Sequence, residues 1–245
     1  MSMFERPQGK SFFQSNPISF IMIILISVAY LLQQTNLGNT MRNYGALQGH
    51  LVWELGEWWR MVSVMFLHGS FMHYLFNTFF GIYVISAALE RIVGPIKFAA
   101  LFLGGGLIAS LTVVVWDLVM ENFIFTIGAS GAIFAALGAL LWLILNKQEW
   151  FNPQDASSIK AFVLINVVFT FIGGNISIPG HIGGLIGGYL LATIIPINRM
   201  GGFNKRASMF NDPYSNPYID PASIDEVDVI DDDEDDDDPF KDYYA

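Results

Sequence analysis

The chain has 245 residues, 53% of them hydrophobic and only 14% charged, with a mean hydropathy of +0.46. An ordinary soluble domain carries about 25% charged residues, so this balance excludes that class. The formal net charge of −10 belongs to one end: residues 197–245 hold four Lys/Arg against 14 Asp/Glu, leaving eight of each sign in residues 1–196. With no cysteine, disulfides, a thiolate metal site and a cysteine nucleophile are excluded as well.

In chain order, a short segment over 1–16 precedes a membrane domain over 17–197, and an acidic tail over 198–245 follows. Within the domain, apolar stretches fall at about 17–34, 64–89, 95–117, 128–146, 159–175 and 180–197. Each is near the roughly 20 residues that a helix needs to cross a bilayer, so six spans are expected. The first opens "SNPISF", with Ser15 or Asn16 as candidate cap and Pro17 at the first helical position. It has no small-residue cleavage site and reads as an anchor. The connection over 35–63 contains "LVWELGEWWRM", whose aromatics suit a membrane interface. Only "GGNISIPG" separates the fifth and sixth stretches, which predicts a hairpin with both helices buried in the bundle. The tail, with "DEVDVIDDDEDDDDPF", reads as disordered because it cannot bury enough surface to offset its ordering entropy.

Placing the N-terminus inside puts nine Lys/Arg on inner segments and only Arg42 and Arg60 outside. The positive-inside rule then makes both termini cytoplasmic. In that frame His68, His73, Asn77, Ser130 and His181 fall in outer halves of spans, where polar groups mark function by default, and all but His68 can meet at similar depth. His73 and Asn77 are four residues apart and share a helix face; His68, about 140° round from His73, faces elsewhere. Ser130 lies in the first turn of the fourth span, with Gly128 and Gly131 beside it. His181 heads the sixth, above the small-residue ridge of Gly184 and Gly188. Gly131, Ala135 and Gly138 give the fourth helix a matching smooth side, and such ridges let helix backbones approach closely in lipid.

Each piece alone has an ordinary structural reading: serines and glycines pack membrane helices, and a histidine at a helix head is commonly an interface residue. Together they allow acyl-transfer chemistry, in which an imidazole takes a hydroxyl proton and returns it to a leaving amine. Backbone N–H groups over Gly128–Ser130 lie at a helix N-terminus, a position suited to an oxyanion. No His-Glu-x-x-His zinc pattern occurs.

These residues resemble a known family. Over about residues 17–196, the chain is similar to the rhomboid intramembrane serine proteases. The motifs are Trp59-Arg60, "HGSFMHYLFN", "ALERIVG", "GASGA" and "GHIGGLIGG". The resemblance implies an all-α polytopic membrane protein with a six-helix rhomboid-like bundle. It implies Ser130 as nucleophile and His181 as general base, a dyad without an acidic third member. His73 and Asn77 would stabilise the oxyanion together with the Ser130 N–H. Trp59, Arg60, His68, Glu90, Arg91, Gly128, Gly131, Phe134, Gly184 and Gly188 would be structural support. Phe134 stands where some members have tyrosine, and is expected to orient His181 by packing alone.

The expected partners are transmembrane protein substrates and the lipid bilayer, not nucleic acid, with no metal or cofactor. The expected location is the cell membrane, with the site opening to the extracytoplasmic side. Two rival readings remain. One is a catalytically silent rhomboid-like membrane-protein binder or chaperone. The other is a small transporter with a histidine proton relay, which would need ionisable groups reaching the inner halves of the bundle.

Overall fold

The computed structural model describes residues 9–121, 125–173 and 176–197. The acidic tail and residues 1–8 lie outside them. Six long apolar helices dominate: α1 (Pro17–Gln33), α2 (Phe71–Val93), α3 (Pro95–Met120), α4 (Ser130–Asn146), α5 (Pro153–Ile172) and α6 (Ile178–Ile194). Three of them, α2, α3 and α5, are long and apolar enough to cross a membrane; the other three have 17 residues each. Among the described residues there is no strand, only an isolated antiparallel bridge between Leu47 and Thr126.

Most helix starts have a local cause. Pro17 and Pro153 stand at first positions, where the missing N–H is no loss. The Asn152 side chain accepts from the Asp155 N–H, which is why α5 begins before the apolar stretch at 159. The second span also differs from expectation. Its helix starts only at Phe71, after Ser70 caps the His73 N–H at 3.2 Å, and Val64–Phe66 form a separate 3₁₀ turn. Within α2, residues Phe76–Ser86 take π-helical winding.

The cap of α1 comes from far away. Neither Ser15 nor Asn16 caps this helix. The Glu90 carboxylate, 1% exposed, instead accepts from the Ile18 and Ser19 N–H groups at 2.8 Å each. Arg91 donates to the Asn16 carboxamide oxygen at 3.0 Å. These bonds pin the start of α1 to the end of α2, and place a carboxylate where unpaired N–H groups and the helix dipole favour it.

Tight packing joins α4 to α6. A methyl group on Gly184 would run into the Gly131 carbonyl, one on Gly188 into that of Ala135, and one on Gly138 into that of Leu185. Close backbone contact of this kind supplies the dispersion attraction that holds helices together where no hydrophobic drive operates. By contrast, α5 does not lie buried in the bundle as its predicted hairpin required. Only 22% of its apolar window is buried, against 50% for α2 and for α3. Its buried residues are Asp155, Ile159, Val163 and Thr170, with Ala156, Phe162 and Val167 half-buried against the core, while Leu164, Ile165, Phe169 and Phe171 face outward.

The connection between α1 and α2 is folded, with short helices at Gly38–Gly45, Gly49–Trp53 and Arg60–Ser63. Arg60, buried, donates to the Ala46 carbonyl at 2.6 Å and pairs with Glu57 at 2.5 Å. The Trp59 indole donates to the Tyr44 carbonyl at 2.9 Å. Trp53 and Trp58 remain exposed.

Candidate active site

The loop before α4 is held from outside the helix. Leu47 and Thr126 exchange two backbone hydrogen bonds of 2.9 Å, and the Gly128 N–H donates to the Val64 carbonyl at 2.9 Å. The Asp117 carboxylate, in the last turn of α3, accepts from the Gly49 N–H and fastens the same connection to the bundle. Ser130 then stands at the first position of α4, where a backbone N–H has no carbonyl of its own helix to meet. Gly128 was expected to offer its N–H to an oxyanion, but Val64 occupies that donor.

Gly128 has a different use. Its φ of +127° is a conformation that side chains rarely adopt. A Cβ there would come within 2.7 Å of His73 Nε2 and 3.6 Å of Asn77 Nδ2. Two donor-bearing side chains from α2 thus lie against the residue two before Ser130. Asn77 is 7% exposed, and its Nδ2 has no hydrogen-bond partner among the described residues. A buried amide left unpaired costs about 1–3 kcal/mol, so it is a donor in want of an acceptor.

His181 lies in the first turn of α6. It is 9% exposed, and its ring stacks on Phe134 with centroids 4.0 Å apart and planes 20° from parallel. Ser130, His181, Gly128, Gly131 and Gly180 border one cavity of about 20 Å³, roughly the space one water requires. Packing on Phe134 is not the only restraint on the imidazole, contrary to expectation. Thr170 of α5, 1% exposed, has its Oγ1 2.9 Å from His181 Nδ1. Sequence reading missed it; a threonine in an apolar helix gives no sign of which ring it will meet.

His68 is also corrected. It lies in the loop before α2 rather than on the helix, so helical angles do not apply. Its ring meets the His73 ring edge-on at 5.0 Å, and Gln33 of α1 bonds its backbone in both directions. Among the described residues, no three His, Asp or Glu side chains form a metal-holding group.

A family profile described as "Rhomboid domain" matches residues 55–197, which include the serine, both flanking histidines and the asparagine. The chain belongs to the rhomboid family. This rhomboid is 33% identical over 196 residues to "Rhomboid protease GluP" of Bacillus subtilis, covering 77% of this chain and 36% of that protein. It is 34% identical over 137 residues to "Putative rhomboid protease YdcA" of the same organism, covering 56% of this chain and 67% of the relative. "RHOMBOID-like protein 5" of Arabidopsis thaliana is 31% identical over 166 residues, covering 67% of this chain and 52% of that protein. The chain thus spans about a third to two thirds of the length of these relatives. Family and apolar helices together make it an integral membrane protein.

Proposed function

We propose that this rhomboid is an intramembrane serine endopeptidase that cuts transmembrane segments of other membrane proteins. The single observation that carries this reading is the meeting of Ser130 with His181 at one cavity, while Gly128 lies against His73 and the unpaired Asn77 amide. The protease names of two of its relatives support it. In this reading α1 to α6 are six spans, both termini are cytoplasmic, and Ser130 is reached from the extracytoplasmic side of the cell membrane. The exposed Trp53 and Trp58 suit the outer interface.

The Ser130 hydroxyl oxygen attacks the scissile carbonyl carbon as His181 Nε2 takes its proton. Negative charge gathers on the carbonyl oxygen, stabilised by His73, Asn77 and the Ser130 N–H. As the intermediate collapses, the C–N bond breaks and the imidazolium gives its proton to the departing amine. Water then attacks the acyl-enzyme, with His181 again as base, and releases the acid while restoring the serine. A transmembrane helix hides its carbonyls in its own hydrogen bonds, so helix-breaking residues near the cut favour the reaction. Trp59, Arg60, Glu90 and Arg91 serve the frame that carries these groups; Gly131, Gly184 and Gly188 let α4 and α6 come together.

The test uses the full-length protein with a serine-directed fluorophosphonate probe and a helical transmembrane reporter. Wild type should be labelled and should cleave; Ser130→Ala and His181→Ala should do neither while remaining folded and membrane-inserted. Cleavage near the wild-type rate in either variant overturns the assignment. Binding of the reporter without any cleavage by wild type would favour the silent binder.

A further inference from the structure

We propose that Thr170 is a positioning residue that keeps the proton of neutral His181 on Nδ1, leaving Nε2 as the acceptor that Ser130 needs. The inference rests on the reading of His181 as general base, and it comes from counting hydrogens. Thr170 Oγ1 lies 2.8 Å from the Asn166 carbonyl oxygen and 2.9 Å from His181 Nδ1. A carbonyl oxygen only accepts, and a threonine hydroxyl has a single hydrogen. With that hydrogen on Asn166, the hydroxyl oxygen accepts from His181, so Nδ1 is the donor. A neutral imidazole carries one N–H, and Nε2 is therefore left with its lone pair.

That tautomer is the one a general base must have. The opposite arrangement would turn the hydroxyl toward Nδ1, give up the bond to Asn166, and put the ring hydrogen on Nε2, which then cannot take a serine proton. The same Nδ1–H donor persists after His181 gains a second proton, so one hydrogen bond serves both halves of the proton cycle. Phe134 fixes the plane of the ring by stacking, but an aromatic face does not distinguish one ring nitrogen from the other. Thr170 does. Being neutral, it supplies orientation without the charge that a carboxylate would add to the imidazolium. At 1% exposure it is shielded from competing water.

The fifth helix thereby gains a defined role. It is mostly exposed, yet its buried residue nearest the outer end is bonded to the catalytic base. Seating of α5 and tautomer of His181 are consequently linked through one hydroxyl.

The experiment is nitrogen NMR of the full-length protein labelled with ¹⁵N-histidine, at a pH where the ring is neutral. Signals of His181 are assigned by their loss in His181→Gln. Wild type and Thr170→Ser should show a protonated Nδ1 and an unprotonated Nε2. Thr170→Val, close in shape but without the hydroxyl, should show both tautomers mixing. Its kcat should fall about three- to tenfold, as expected for one neutral hydrogen bond, with KM little changed, and Thr170→Ser should restore the rate. A wild-type proton on Nε2 overturns the proposal, as does an unchanged tautomer in Thr170→Val or a valine-like pattern in Thr170→Ser. The tautomer is read without turnover. Cleavage surviving in Ser130→Ala would therefore defeat the protease mechanism, while the role of Thr170 would still be decided by the spectra.

Discussion

The α4–α6 pair and α5 meet at the same imidazole but are built on opposite terms. Between α4 and α6 the closest contacts are backbone to backbone, with glycines facing carbonyls. The hold on α5 comes from a few residues, and most of its length faces outward. The difference teaches where precision and latitude reside. In the proposed mechanism, Ser130 and His181 are tied to a rigid seam and keep their spacing, since a packed interface resists small displacements. An element with little buried surface opens at low cost, and it meets the His181 ring through the Thr170 hydroxyl.

Breaking the seam should have the largest effect. Gly184→Val puts a branched side chain against the Gly131 carbonyl, and backbone cannot move aside without parting the helices. We expect cleavage to fall by more than about a thousandfold, beyond the loss of one oxyanion donor, with a loss of about 1–3 kcal/mol in resistance to denaturing detergent, typical of overpacking. Wild-type activity in that variant would show that the seam is not needed to set the spacing of Ser130 and His181.

Next comes the donor pair of α2, which sharpens the comparison by leaving the seam intact. Asn77→Ala should lower kcat by about 10²–10³ at most, the value of a side-chain oxyanion donor, and by less if His73 compensates. KM should change little, because the interaction strengthens only in the transition state. A rise in KM with kcat unchanged would assign Asn77 to substrate binding instead.

The smallest effect belongs to the outer face of α5. Ile165→Ala should alter stability by no more than about 0.5 kcal/mol, since this exposed residue makes few protein contacts. A loss of several kcal/mol, measured by the same detergent titration, would mean that α5 is held more firmly than its exposure indicates.

Much of this molecule is legible in its residues. Apolar runs locate all six helices, though α2 starts at Phe71 rather than 64 and α5 at Pro153 rather than 159; Pro17 marks a helix start, and Ser130, His181, His73 and Asn77 stand out as polar groups where apolar ones would suffice. Errors arose where partners are distant in the chain. Ser15 and Asn16 are the local candidates for the cap of α1, yet Glu90, more than 70 residues on, takes that place. His68 was assigned a helix angle, but a Ser70 cap leaves it in a loop against His73.

Sequence by itself determined the membrane character, the approximate helices, the family and the set of candidate groups, because composition, period and motif spacing are properties of neighbouring residues. Tertiary structure alone decided which groups meet. It committed the Gly128 N–H to Val64, left the Asn77 amide unpaired, exposed α5, and set Thr170 against His181. Those outcomes follow from how helices seat against one another, and no spacing along the chain encodes that directly.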